Sequence, residues 1–379
     1  MGGAETVIRE IALGLVARGW EVEILSTCAV DHYTWKNVLP AGRSVEDGLV
    51  VHRFPTVCDL SGIGRRAQDR IEAGTVPSVD EQLSWMGFQF RAPDLFHHLV
   101  RFGPGFEAVV FSPYLSWTTS VGIHAVTDRA IVIPCLHDEL YARLEVFEPV
   151  LSRPASVWFM SEPEHELAHR LGPVASHHVV TGEGFHPPAS YDPEGFRRRH
   201  GIERPFVLFA GRREPGKGWD SLLEVFSASV AAGVDVDLVS IGVGKAAVPS
   251  TLEGRVTDLG FLSSAERDNA FAAALAYIQP SRMESFSRTV MEAWLAGSPV
   301  MATAEGEVVA WHCQRSGGGV LYGDAGEFVS VLGRLVADPD ERRRLAELGR
   351  RYVMANYSWD AVLDVMEDEL RPVAWTASS

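Results

Sequence analysis

Hydrophobic positions along this chain follow two rhythms. Over residues 6–18, Val7, Ile8, Ile11, Ala12, Leu15 and Val16 share one stripe at helical spacing, and Gly19 stands where that helix should stop. Short continuous apolar runs follow at 22–25, 49–51, 108–111, 130–133, 157–160 and 178–180, most of them separated by helix-like stretches. Unbroken β-branched runs alternating with helices predict a parallel sheet covered on both faces.

Near residue 182 the pattern breaks into Gly182-Glu183-Gly184-Phe185-His186-Pro187-Pro188, which suits a linker. The rhythm then restarts. Strands are expected at 206–210, 236–241, 276–278 and 299–301, alternating with helices near 219–231, 264–274, 286–296, 325–337 and 340–354. The expectation is an α/β chain of two Rossmann-like domains facing a central cleft, 1–185 and 186–357, with a last helix over 358–379. One feature is odd: Gly2-Gly3 leads straight into a helix, so the first strand of the N-terminal domain is missing. A gap there would leave backbone groups of both neighbouring strands unpaired. The natural chain is therefore expected to begin upstream of Met1.

At 379 residues, with 46% apolar and 22% charged residues, the chain suits a two-domain globular protein and not a disordered one. The net charge of −16 is spread over both halves, and no basic cluster stands out, which argues against nucleic acid as a partner. Cys28, Cys58, Cys135 and Cys313 are scattered singly, so neither a zinc knuckle nor a disulfide framework is expected. No apolar run is long enough to span a bilayer and the first residues lack a signal-peptide pattern; a cytoplasmic protein with at most peripheral membrane contact is expected. Only three of the 34 basic residues are lysines (Lys36, Lys217 and Lys245), which draws attention to each.

Three segments could carry chemistry. In the first, the strand at 206–210 ends in Gly211-Arg-Arg-Glu-Pro-Gly-Lys-Gly218, where Arg212 and Lys217 stand at a carboxyl end suited to a diphosphate. A solvated loop with surface charges would read the same way. In the second, Pro280-Ser-Arg-Met-Glu284 precedes a helix start able to hold phosphate on its amides. Glu284 and Glu292 flank that start and could accept sugar hydroxyls, or be a capping and a solvated Glu. In the third, His137 follows the strand at 130–133 and points into a cleft, unless it is a core histidine. A fourth match, Gly242-Val-Gly-Lys-Ala-Ala247 with Glu266 beyond, imitates a dinucleotide motif, but Pro249 interrupts the helix that motif needs.

Taken together, the pieces resemble the retaining GT-B glycosyltransferases of family four. The likeness runs through Gly-Gly-Ala-Glu at 2–5, Arg18-Gly-Trp-Glu-Val22, His137-Asp138, Gly211-Arg212, Lys217-Gly218, Leu259-Gly-Phe-Leu262, Pro280-Ser281 with Glu284, Glu292-Ala293, Gly297 and Pro299-Val300. The resemblance implies catalytic roles for Glu284, His137, Arg212 and Lys217. Arg212 and Lys217 would bind the donor diphosphate in place of a metal ion. Glu284 would hold the donor sugar, Glu292 the ribose, and the backbone around Phe286, Ser287, Arg288 and Thr289 the distal phosphate. His137 would reach the sugar from the other domain, Gly3 would leave room for phosphate, and Leu262 would meet the base. The N-terminal domain would take the acceptor (a sugar, glycolipid or small molecule), and the last helix would cross back onto it. No cofactor is implied beyond the substrate itself, a UDP-, GDP- or ADP-sugar. The reaction implied is transfer to an acceptor hydroxyl with retention of anomeric configuration, by front-face attack. A sugar-nucleotide epimerase of the same fold, or a non-catalytic sugar-nucleotide-binding protein, are the alternatives. Ser287-Arg288 departs from the family's Phe-Gly-Leu and limits the backbone there.

Overall fold

The computed structural model describes residues 3–31, 34–58, 62–88, 90–244 and 247–377. The chain forms two compact units, Met1–Glu183 with Val362–Ser379, and Gly184–Ala361. Gly2 of the opening motif lies outside the described residues, as do Lys245 and Ala246 of the dinucleotide-like motif.

The first unit opens on the helix Gly3–Ala17, which buries Val7, Ile11, Ala12 and Leu15 of the stripe read from the sequence, while Ile8 is half-buried and Val16 is exposed. Gly19 ends it with φ +95°, a conformation that favours glycine. Strands β1 (Glu23–Thr27), β2 (Gly42–Glu46) and β3 (Leu49–Phe54) form one sheet in the order β1-β3-β2, with β2 antiparallel to β3. Strands β4 (Val109–Phe111), β5 (Ala130–Val132), β6 (Ser156–Phe159) and β7 (His178–Val180) form a second, all-parallel sheet in chain order. Among the described residues no strand precedes the first helix, and β1 and β4 each end their own sheet. Phe111, Val132, Val157 and Phe159 pack with Leu95 and Leu99 of the helix Pro93–Phe102 to make the core.

The final helix, Trp359–Ala377, belongs to the first unit from Val362 onward. Arg18 donates to Asp364 Oδ1 at 2.6 Å and Glu367 Oε2 at 2.7 Å, and the Trp20 indole donates to Glu367 Oε1 at 2.8 Å. Gly14 lets this helix approach closely: a Cβ there would lie 2.6 Å from Leu363 Cδ1.

In the second unit, strands β8 (Phe206–Ala210), β9 (Asp237–Ile241), β10 (Val256–Asp258), β11 (Ala276–Gln279), β12 (Val300–Thr303) and β13 (Gly319–Tyr322) form a parallel sheet in the order β10-β9-β8-β11-β12-β13. The chain moves outward from β8 to β10, then restarts at β11 and moves the other way. The switch therefore falls between β8 and β11, where loops from adjacent strands diverge and leave room for a ligand.

The boundary between the two units, at Glu183 and Gly184, falls in the stretch 182–188 read as a linker, and its first residues are packed. Residues 181–185 are buried. The Phe185 amide donates to Tyr357 O at 2.8 Å, and its ring stacks on Phe286 with centroids 6.0 Å apart.

Candidate functional site

The apolar run Phe206–Ala210 is buried at every position, which fixes the carboxyl end of β8 beside that of β11. The loop leaving β8 closes on Gly218, with φ +72°, just before the helix Trp219–Ala231. A Cβ at Gly218 would lie 2.4 Å from the Pro280 carbonyl oxygen, so glycine lets this turn rest against the loop leaving β11. Ser281 Oγ ties the two loops further, donating to Gly216 O at 3.4 Å.

Lys217 and Glu284 meet across this junction. Lys217 Nζ donates to Glu284 Oε1 at 2.8 Å, with side chains 27% and 13% exposed. Arg212 turns instead to Glu214 at 3.0 Å and stays 44% exposed. Its neighbour Arg213, which the sequence did not single out, is the buried one: its side chain lies 3.1 Å from Asp258 Oδ1 and donates to Gly242 O at 3.0 Å. Arg213 thereby locks the loop after β8 to the ends of β9 and β10.

The loop after β11 is shaped from below. The Gln279 amide donates to Ser287 Oγ at 2.8 Å, and Tyr277 OH donates to Thr289 Oγ1 at 2.8 Å. Ser287 takes φ +74° at the N-terminus of the helix Arg288–Leu295, and its carbonyl accepts from Val290 N at 3.1 Å in the first turn. Phe286 is 2% exposed, its ring 5.0 Å from His312 and 4.9 Å from Tyr357. Of the predicted donor contacts, Phe286 can thus offer backbone alone. Burial pushes His312 down to about 3, so this ring stays neutral, with Nδ1 2.9 Å from Tyr352 OH. Arg288 directs its guanidinium onto the Phe185 ring, 5.1 Å from the centroid.

Glu292, 11% exposed, lies 3.0 Å from Arg267 Nη2 on the helix Ser264–Ala273. Arg267 carried no signal in the sequence, because the contact joins two helices packed side by side. Leu262 is half-buried, whereas Phe261 before it is 80% exposed. The preceding carbonyl, Gly260 O, accepts from Gly242 N at 2.7 Å. Gly242 has its own reason to be glycine: a Cβ there would lie 2.2 Å from Gly211 O. After Gly244 the chain reaches a single 3₁₀ turn at Ser250–Leu252 and not a helix, so the dinucleotide-like motif has no helix to work with.

His137 and Gly3 belong to the first unit. Gly3 opens its first helix, with open space where a Cβ would stand. His137 is 32% exposed, its Nδ1 3.8 Å from Glu139 Oε1, which also accepts from Tyr114 OH at 3.0 Å. The loop to His137 passes through Cys135 at φ +52° and is anchored by Glu164, 1% exposed. Glu164 Oε1 accepts from Leu136 N at 2.5 Å and Oε2 from Met160 N at 2.6 Å. Burial pushes the Glu164 carboxyl up to about 8 in spite of these amides, and the Cys135 thiol up to about 12. Glu164 had no motif to announce it. Among the described residues no helix is long and apolar enough to cross a membrane.

A profile of the family described as glycosyl transferases group 1 matches residues 204–338, the stretch that carries this junction. The GDP-mannose-dependent alpha-mannosyltransferase of Mycolicibacterium smegmatis is 33% identical over 341 residues, 86% of this chain and 83% of that protein. The MMP alpha-(1->4)-mannosyltransferase of Mycolicibacterium hassiacum is 32% identical over 197 residues, 48% of this chain. That match spans about half of the relative's own length, 47%. Among solved structures, sucrose-phosphate synthase of Thermosynechococcus elongatus superposes with a TM-score of 0.72 over 100% of this chain and 94% of that one, at 19% identity. The last likeness is one of fold.

Proposed function

This chain belongs to the glycosyl transferases group 1 and has their GT-B fold, and on that premise we propose that it moves a mannosyl group from GDP-mannose to an acceptor hydroxyl with retention of anomeric configuration. The Lys217–Glu284 pair at the switch point carries this reading. A cation and a carboxylate joined across two carboxyl-end loops offer the two chemistries a nucleoside-diphosphate sugar needs. Lys217, with Arg212, takes the diphosphate, and Glu284 accepts hydroxyls of the sugar. The amides of the helix start at Ser287–Thr289 face the distal phosphate, and Glu292 takes the ribose. Guanine and mannose are supported by the name of the Mycolicibacterium smegmatis relative.

Arg212 and Lys217 stabilise charge as it grows on the departing diphosphate, the task a metal ion performs in other transferases. Retention is the reading that the relatives' names support: GDP-mannose is an α-glycoside, and both relatives are named for α products. The C1–O bond to phosphate breaks, the acceptor oxygen bonds C1 from the same face, and the leaving phosphate oxygen takes the acceptor proton. The acceptor is a sugar, a glycolipid or a small-molecule alcohol.

Thermal shift with GDP, UDP and ADP, in EDTA, tests the donor site. GDP should raise the melting temperature by roughly a few degrees at 100 times its Kd, UDP and ADP should not, and Lys217→Ala should cut the shift by about half or more. Silence with all three nucleotides sinks the donor site, and a response to UDP alone sinks the assignment of guanine. NMR of a transfer product showing a β-mannoside would overturn retention.

A further inference from the structure

The geometry points to a zinc-class metal site in the first unit, built by His165, His169 and His178. His165 and His169 are four apart on the helix Glu162–Leu171 and so share a face. Their Nε2 atoms are 3.0 Å apart. Two nitrogens bound to one zinc ion at about 2.0–2.1 Å stand about 3.3 Å apart, so this pair needs almost no rearrangement. His178, the first residue of β7, brings the third ring: one ring nitrogen from each histidine lies within 4.8 Å of the other two.

The surroundings orient these rings as metal ligands. His178 Nδ1 is 2.8 Å from Ala175 O. A carbonyl can only accept, so Nδ1 carries the proton and Nε2 keeps its lone pair for an ion. His165 Nδ1 lies 3.5 Å from Glu162 Oε1 without hydrogen-bonding to it, and Nε2 is the nitrogen that His165 turns toward His169. Imidazole nitrogens suit Zn²⁺, Ni²⁺, Cu²⁺ and Co²⁺, while Mg²⁺ and Ca²⁺ prefer oxygen.

The site joins a helix to an edge strand of the four-stranded sheet. His178 marks the amino end of β7, whereas His137 follows the carboxyl end of the parallel strand β5. The ion would therefore work at the opposite end of the sheet from the loop of His137, as a staple between helix and strand and not as part of transfer.

Calorimetric titration of the full chain, stripped with EDTA, with ZnCl₂ tests this. One equivalent should bind, MgCl₂ should not, and His169→Ala and His178→Gln should each weaken zinc by about tenfold or more. Zinc should raise the melting temperature of wild type and not of either variant. His169 is exposed, so the metal-free variant should melt with wild type. Co²⁺ should give the visible ligand-field band of a nitrogen-ligated ion, lost in both variants. No zinc binding, or zinc binding that both substitutions leave unchanged and other histidines among the thirteen supply, overturns the site.

Discussion

Lys217 and Glu284, 67 positions apart, are joined by a 2.8 Å hydrogen bond between the loops that leave β8 and β11. Neither side chain is free in solvent, so each holds the other where a donor would meet both. Lys217→Ala should weaken nucleotide-diphosphate binding about tenfold or more, the loss of one charge-assisted hydrogen bond. Because Glu284 is left 13% exposed and unpaired by Lys217, the apo protein should also lose ~1 kcal/mol. The double variant Lys217→Ala/Glu284→Gln should regain that stability without regaining binding. Calorimetry with GDP and denaturant unfolding of the three variants separate the two effects. Equal binding in wild type and Lys217→Ala would remove the lysine from the site.

Ser287 stores backbone strain at φ +74°. Ser287→Ala and Ser287→Gly both lose the hydrogen bond from Gln279, so their difference reports the backbone alone. The alanine variant should be the less stable by about 1 kcal/mol, the cost of a Cβ in the left-handed region. Urea unfolding measures this, and equal midpoints would place Ser287 in an ordinary conformation.

Gly218→Ala should act more severely. Its Cβ meets the Pro280 carbonyl at 2.4 Å, and its φ is +72°. Two backbone segments would have to part, at about 2–4 kcal/mol. The Lys217–Glu284 bond should break with them, so nucleotide binding and melting temperature should fall together. A variant that binds GDP as wild type does would show that the two loops need not touch.

Glu164 predicts a pH dependence. Its folded carboxyl titrates near 8, above the ordinary value of 4.5, so between these limits the native state holds a proton that the unfolded chain has lost. Stability should therefore be highest below pH 4.5 as far as this group is concerned, and fall through the window up to 8 by at most about 1.4 kcal/mol per pH unit. Glu164→Gln, which cannot titrate, should flatten that slope while keeping its amide oxygen on Leu136 or Met160. Unfolding of both proteins from pH 5 to 8 gives the difference, and parallel curves would mean that Glu164 is ionised throughout.

The alternation of strands and helices was legible because it is local. A run such as Phe206–Ala210 has no polar face, so it must be buried on both sides, and the helix Trp219–Ala231 announces itself at helical spacing. Polar segments hid better. Strand β2, Gly-Arg-Ser-Val-Glu, pairs by backbone on one edge of β3 and has no apolar face to betray it. The helix Glu307–Ser316 was missed as well. The packing of Phe185 against Phe286 and Tyr357, just after the boundary between the units, depends on residues a hundred and more positions away.

The amino-acid sequence by itself determined which residues carry charge, where chains of apolar residues must be buried, and where glycine permits turns of positive φ. These are properties of single residues and their near neighbours. Tertiary structure alone decided the pairings: Lys217 with Glu284, Arg267 with Glu292, Arg213 under the loop of Gly211, and His178 beside His165 and His169. Each joins side chains whose distance along the chain says nothing of their distance in space. What sets that distance is the order in which parallel strands pair, and hydrophobic burial, being non-directional, cannot encode that order in any short stretch of sequence.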